Sequence, residues 1–76
     1  LSDMATHDIS LLAIEKLYQE TQSSVSAGDV ANWRAENVQD GDITEGTVRN
    51  HFTKLRKDGE IDSASGGVVP KDASED

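Results

Sequence analysis

The chain has 76 residues, 15 of them acidic and 7 basic, and its formal net charge is −8. A chain of this length forms one small domain, and the absence of cysteine excludes disulfides and thiolate-ligated metals. No apolar run approaches the ~20 residues of a membrane span and no secretory signal pattern opens the sequence, so we expect a cytoplasmic protein without a membrane partner.

The composition carries a second signal. Acidic residues outnumber basic ones about two to one, large apolar residues are few, and alanine, valine, serine and threonine are many. This resembles the composition of proteins from salt-loving archaea, in which carboxylates keep the surface hydrated, and it favours a haloarchaeal origin; an ordinary acidic protein is the alternative. The chain begins with Leu1 rather than methionine, which is consistent with an excised domain.

Residues 1–6 are expected to form a flexible N-terminus, and a first helix is predicted from about His7 to Thr21. Leu12 falls among polar positions of this helix, where it is either a lone exposed leucine, as is common, or a homodimer contact. One face of the helix is predicted to pack on the core, and it carries Leu11, Ile14, Leu17 and Tyr18.

A second helix is predicted to begin after Ser26 and to run to about Asn37. Ser26 is the expected N-cap and Asp29 stands at the third helical position, which is close to a capping box. Trp33 lies off the apolar stripe, so we expect it to lie half-buried across a neighbouring helix, with partner binding as the alternative. The core-facing positions are Ala27, Val30, Ala31 and Val38.

A turn at Gln39–Asp42 is predicted to lead into a third helix, Glu45–Asp58. Thr44 is the expected N-cap, and Gly59 supplies the left-handed residue that ends a helix. Beyond it, a short hairpin is predicted with its tip at Ser63–Gly67. Three further features complete the pattern: a possible short strand at Ser24 and Val25, an end to strand pairing at Pro70, and a disordered acidic tail at residues 71–76.

The third helix concentrates the basic residues. The nine residues Arg49–Lys57 hold four of the seven basic side chains and no acidic one. Helical spacing places Val48, Phe52 and Leu55 on one apolar face, and the opposite face is polar. A cationic helix face on an acidic protein indicates an anionic partner, and DNA is the first candidate, although a solvated face or the helix dipole alone also explains such charges.

The spacing of Val48, Phe52, Leu55, Gly59 and Ile61 resembles the end of the recognition helix in the winged helix-turn-helix family. With the element order around it, the resemblance extends over about residues 9–70. It implies an α+β, mostly α fold of three helices followed by a short β-hairpin wing, with the domain at residues 7–70. It also implies a DNA-binding transcriptional regulator that reads the major groove of double-stranded DNA.

The residue types predict how the third helix meets DNA. Arg49 can bind guanine O6 and N7, and Asn50 can bind adenine N6 and N7. Gly46 permits close approach of the helix start. The predicted base contacts are Gly46, Arg49, Asn50 and Thr53, and the predicted phosphate contacts are Thr44, Thr47, Lys54 and Lys57.

Two features depart from the family pattern. The turn before the third helix is longer than in the simplest helix-turn-helix, and the hairpin tip has no Lys or Arg, so the sequence leaves wing contact with DNA open. A protein-interaction module of a replication or transcription assembly is therefore the alternative function. His7 and His51 have no partner at metal-ligand spacing, so we expect no catalytic site, metal, cofactor or small-molecule substrate.

Overall fold

The computed structural model describes residues 6–38 and 43–71. Three helices, α1 (Thr6–Thr21), α2 (Ala27–Asn37) and α3 (Glu45–Lys57), precede two antiparallel strands, β1 (Ile61–Ala64) and β2 (Gly67–Pro70). The predicted element order is confirmed, and the described part of the chain is mostly helical with a terminal hairpin. The flexible N-terminus was predicted to include Thr6, which is instead the first residue of α1. Residues 1–5, the turn at Gln39–Asp42 and the acidic tail beyond Lys71 lie outside the described residues.

Local capping explains where α2 and α3 begin. Ser26 Oγ accepts a hydrogen bond from the Asp29 N–H at 3.2 Å, and the Asp29 carboxylate accepts one from the Ser26 N–H, which completes the capping box. At α3, Thr44 Oγ1 accepts a bond from the Thr47 N–H at 3.2 Å. Both predicted N-caps are therefore confirmed.

The end of α3 is a Schellman motif. Gly59 has a φ of +78°, the Glu60 N–H donates to the Leu55 carbonyl, and the Gly59 N–H donates to the Arg56 carbonyl. The helix ends at Lys57, one residue before the predicted end, because Asp58 is the C-cap.

The hairpin is tighter than the sequence indicates. Ser63 pairs with Val68 and Ala64 with Gly67, so the turn consists of Ser65 and Gly66 alone, and the predicted tip at Ser63–Gly67 was too long. The sequence did not indicate where the strands end, since Ser and Ala carry little strand signal. The predicted end of pairing is confirmed, because Pro70 is the last residue of β2.

Val25 forms an isolated antiparallel bridge with Val68 of β2. Its N–H donates to the Val68 carbonyl at 2.8 Å, and the Val68 N–H donates to the Val25 carbonyl at 2.9 Å. A Cβ on Gly67 would lie 2.2 Å from the Val25 carbonyl oxygen, so the close approach of the two backbones requires glycine. The expected short strand at Ser24 and Val25 is thus present as this bridge at Val25.

Every described element contributes to one apolar core. The predicted core face of α1 is confirmed: Ile14 is fully buried, and Leu11, Leu17 and Tyr18 are half-buried and pack against the core. The buried side of this helix also includes Ser10, which meets polar groups of α2 and α3. Trp33 is half-buried against the core, as predicted. The fully buried apolar side chains include Ile14, Val25, Val30, Val48, Leu55 and Ile61.

Candidate nucleic-acid interface

The two faces of α3 are as distinct in the structure as in the sequence. Val48, Phe52 and Leu55 are buried in the core, joined by His51. Every residue predicted to contact DNA is exposed, and together they form a continuous surface that we call the α3 face: Thr44, Gly46, Thr47, Arg49, Asn50, Thr53, Lys54 and Lys57.

Arg49 is an exposed charged side chain at the flank of the α3 face. Its Nη2 lies 3.5 Å from Glu45 Oε1, one turn earlier, and the two side chains are 67% and 57% exposed. An exposed helical pair of this kind contributes only about 0.3–0.5 kcal/mol. Arg49 can therefore leave Glu45 for a stronger bidentate acceptor with little loss.

The two lysines of the α3 face differ in their surroundings. Lys54 Nζ lies 3.4 Å from Asp58 Oδ2, so part of its charge is already compensated. Neither the Lys57 nor the Asn50 side chain takes part in a hydrogen bond or ion pair with any of residues 6–38 or 43–71. These two side chains are the groups of the α3 face most available to a partner.

Arg56 connects α3 to the hairpin. Its Nη1 donates to Ser63 Oγ on β1 at 2.8 Å. A groove of about 500 Å³ lies between α3, the start of α2 and the hairpin turn, and Arg49 and Arg56 both line it. The hairpin turn thus lies beside two guanidinium groups even though it carries no basic residue itself.

The start of α3 presents two hydroxyl groups. Thr44 Oγ1 and Thr47 Oγ1 lie 3.0 Å apart and both residues are exposed. Because one hydroxyl donates to the other, at least one hydroxyl hydrogen remains for an external acceptor. Both hydroxyls are therefore accessible to a phosphate group.

A buried polar cluster lies behind α3, and sequence reasoning missed it. Arg34 is 6% exposed, and its Nη1 donates to Ser10 Oγ at 2.9 Å. Ser10 Oγ lies 2.8 Å from His51 Nδ1. Since arginine only donates, the serine hydroxyl accepts from Arg34. The direction of its bond with His51 Nδ1 depends on the tautomer of the imidazole.

Electrostatics favour the neutral form of the His51 imidazole. Burial lowers the pKa of His51 below its usual value, and the nearby charges of Arg34 and His7 lower this pKa further. Burial also lowers the pKa of Arg34. His51 is 8% exposed, so its imidazole is packed inside the domain. The missed signal was the position of Arg34, four residues after Val30 on the apolar stripe of α2.

Comparison with protein-family models, with curated proteins and with solved structures finds no match to this chain. The interpretation of the α3 face therefore depends on its own geometry and charge. Among the described residues, no group of three or more His, Asp or Glu side chains is placed to hold a metal ion. None of the three helices is long and apolar enough to cross a membrane.

Proposed function

We propose that this chain is a winged helix-turn-helix domain that binds double-stranded DNA in transcriptional control, with α3 in the major groove. The observation that carries the proposal is the contrast between the buried apolar side of α3 and its exposed cationic side on a chain of net charge −8. A major groove admits one helix, and the α3 face is one helix wide. The three helices, the hairpin and the bridge at Val25 have the order that this fold requires.

In this proposal, Arg49 and Asn50 of the α3 face contact the bases. Arg49 would bind guanine and Asn50 adenine, each through two hydrogen bonds worth about 1–3 kcal/mol of discrimination. The nearest group to a Cβ built on Gly46 is Thr44 Oγ1 at 3.9 Å, so packing within the protein does not require glycine there. Close approach of the helix backbone to DNA gives that glycine a role.

Phosphate contacts flank the bases in this proposal. Thr44 and Thr47 lie at the start of α3, where backbone N–H groups favour anions, and Lys54 and Lys57 lie at its end. The turn of the hairpin supplies hydroxyl and backbone N–H groups, beside Arg56. In concentrated salt, phosphate contacts contribute less, so base contacts and a second copy of the chain would gain importance.

A second candidate function has its own observation. Leu17 and the half-buried Trp33 line a shallow groove on α1 and α2 together with Glu20, Asp29 and Glu36. An apolar floor with an acidic rim suits a basic protein segment, as expected for an interaction module. Leu12, half-buried on α1 and the proposed homodimer contact, belongs to the same class of proposal.

The test is an anisotropy titration against duplexes selected from a random pool, with the double variant Arg49→Ala/Asn50→Ala. The matched control is Lys16→Ala/Gln19→Ala, which removes one cation and one amide from exposed positions of α1. We expect the α3 variant to weaken selected binding by more than about tenfold and the control to leave it unchanged. Equal affinities for both variants would remove the proposed mechanism.

A further inference from the structure

Arg34 has two N–H groups that the described structure does not use. A guanidinium carries five N–H donors. Nη1 donates twice, to the Thr6 carbonyl and to Ser10 Oγ, and Nη2 donates once, to Thr6 Oγ1. One hydrogen on Nη2 and the hydrogen on Nε remain, and Nε is buried without a hydrogen-bond partner. These two nitrogens form the side edge with which arginine binds the two oxygens of a carboxylate or phosphate.

No carboxylate among residues 6–38 and 43–71 is paired with this guanidinium. Arg34 is 94% buried, and a buried cation without a counter-charge is unfavourable unless an anion compensates it. Nine acidic residues lie within the described ranges, so the lack of an acidic partner among them is unexpected. The free edge therefore points to an anion that comes from outside the described chain.

Arg34 lines an open groove between α2 and the start of α3. Thr44 and Thr47 form the α3 side of this groove and Asn32 contributes an amide from α2. Arg34 is the one charged residue among the described residues of the lining. The lining of the groove thus carries a positive charge and neutral hydrogen-bonding groups, whereas the chain as a whole is negatively charged.

The start of α3 has backbone donors between Thr44 and Thr47, the two residues of this helix start that line the groove. Thr44 satisfies two of the first four N–H groups, since its hydroxyl accepts from Thr47 and its carbonyl accepts from Val48. The N–H groups of Glu45 and Gly46, at the first two helical positions, have no acceptor among the described residues. They are available to an anion at the helix start.

The start of α2 provides the contrast within the same chain. There, the carboxylate of Asp29 already accepts a bond from the Ser26 N–H, so a negative charge is built in. At α3 the equivalent third position is Thr47, which brings no charge. The first turn of α3 does carry a carboxylate, that of Glu45, but its Oε1 lies 3.5 Å from Arg49 Nη2 and Glu45 is not among the described residues that line the groove.

We propose that the groove between α2 and α3 binds a phosphate group, held by the side edge of Arg34, the hydroxyls of Thr44 and Thr47 and the first N–H groups of α3. The inference deepens the proposed function and rests on it in part, because Thr44 and Thr47 are proposed DNA ligands there. The phosphate can come from a DNA backbone or from free inorganic phosphate. Because Nε is covered, binding requires a small shift of a lining side chain, and the Nε–H resonance reports that shift.

The test is an NMR titration of the full chain, labelled with nitrogen-15, with inorganic phosphate. Sodium chloride at equal ionic strength is the reference. We expect saturable shifts of the Arg34 Nε–H and of the Glu45 and Gly46 amides in phosphate alone. The amides of Ala27 and Gly28, at the capped start of α2, are the internal control and should not move. Shifts that are equal in chloride, or equal at both helix starts, would overturn the proposal.

Two variants sharpen the test. Thr47→Val replaces an exposed hydroxyl with a methyl group and should weaken phosphate binding several-fold without affecting folding. Arg34→Lys keeps the charge but removes the side edge and should abolish the saturable response; if it fails to fold, Thr47→Val and the wild-type titration still decide. An unchanged phosphate response in Thr47→Val would contradict the assigned ligand set.

A titration with duplex DNA distinguishes a DNA phosphate from free phosphate as the ligand. It also distinguishes failure of the phosphate-site proposal from failure of the DNA-binding proposal. If the ligand is a DNA phosphate, a selected duplex shifts the same resonances and inorganic phosphate competes with it. If the ligand is free phosphate, the duplex leaves the Arg34 Nε–H unmoved while phosphate still shifts it. If Arg49→Ala loses DNA binding but keeps the phosphate-induced shifts, both the DNA-binding proposal and the phosphate-site proposal are upheld. If the chain binds DNA but phosphate causes no shift at Arg34, only the phosphate-site proposal is overturned.

Discussion

Ser10 of α1 and His51 of α3 are joined by a hydrogen bond of 2.8 Å beneath the helix that we propose enters DNA. The residues are 41 positions apart, and Ser10 also accepts a bond from Arg34 of α2. One hydroxyl thus connects all three helices. The position of the α3 face relative to the rest of the domain depends on this connection as well as on apolar packing.

Replacing this hydroxyl should destabilise the fold. Ser10→Ala leaves buried groups of Arg34 and His51 without a partner, which is expected to lower the free energy of unfolding by about 1–3 kcal/mol. Urea denaturation measures the change. Ser23→Ala, at an exposed position, is the control and should change stability by less than about 0.5 kcal/mol. Equal effects of the two substitutions would mean that the buried cluster contributes no stability.

The buried histidine should make stability depend on pH. Because the pKa of His51 is lower in the folded chain than the usual value of about 6.5, the unfolded chain binds a proton that the folded chain does not. The free energy of unfolding should therefore fall as pH falls from about 7 through 6.5 toward the folded pKa. Above about pH 7, His51 should not make the free energy of unfolding depend on pH.

Urea unfolding at a series of pH values between about 7.5 and 5.5 tests this, since carboxylates titrate below that range. In His51→Gln the slope in this window should become shallower. His7→Gln is the comparison, because His7 is more exposed and lies 3.4 Å from Asp8. A wild-type slope that persists in His51→Gln would assign the pH dependence to other groups.

Two glycines should respond in opposite ways to alanine. A Cβ on Gly67 would lie 2.2 Å from the Val25 carbonyl oxygen, so Gly67→Ala should destabilise the domain by about 1–3 kcal/mol through overpacking. Gly46→Ala, in open space on α3, should stabilise it by up to about 1 kcal/mol through helix propensity.

Gly46→Ala also separates folding from function, because we expect weaker duplex binding from this more stable variant. Thermal unfolding and anisotropy on the same samples measure both quantities. A stabilised Gly46→Ala variant with unchanged affinity would show that the start of α3 does not approach DNA closely.

The salt dependence of DNA binding should reveal the phosphate contacts. Lys57 has no described partner, so Lys57→Ala should weaken binding to all duplexes alike and reduce the slope of log affinity against log salt by about 0.9. Lys16→Ala on α1 is the control. An unchanged slope in Lys57→Ala would place this lysine away from the DNA backbone.

The sequence predicted the features that depend on neighbouring residues. Ser26, Thr44 and Gly59 act on their own helix ends, so their roles follow from spacing and residue type alone. The face of α3 was predictable for the same reason, since strong alternation of apolar and charged residues fixes it.

Features that depend on distant partners were not predictable in the same way. The burial of Ser10 on α1 depends on Arg34 and His51, which are 24 and 41 positions away. Arg34 was passed over because a charged side chain is usually exposed, although its place on the apolar stripe of α2 was visible. The bond from Arg56 to Ser63 likewise needed the hairpin to be in place.

An amide footprint of the labelled chain on a duplex selected from a random pool tests the central claim most directly. The account predicts shifts at Gly46, Asn50 and Thr53 of the α3 face, with the α1–α2 groove at Leu17 and Trp33 unchanged. Saturable shifts at Leu17 and Trp33 with an unperturbed α3 face, or no binding to any duplex at low salt, would contradict it.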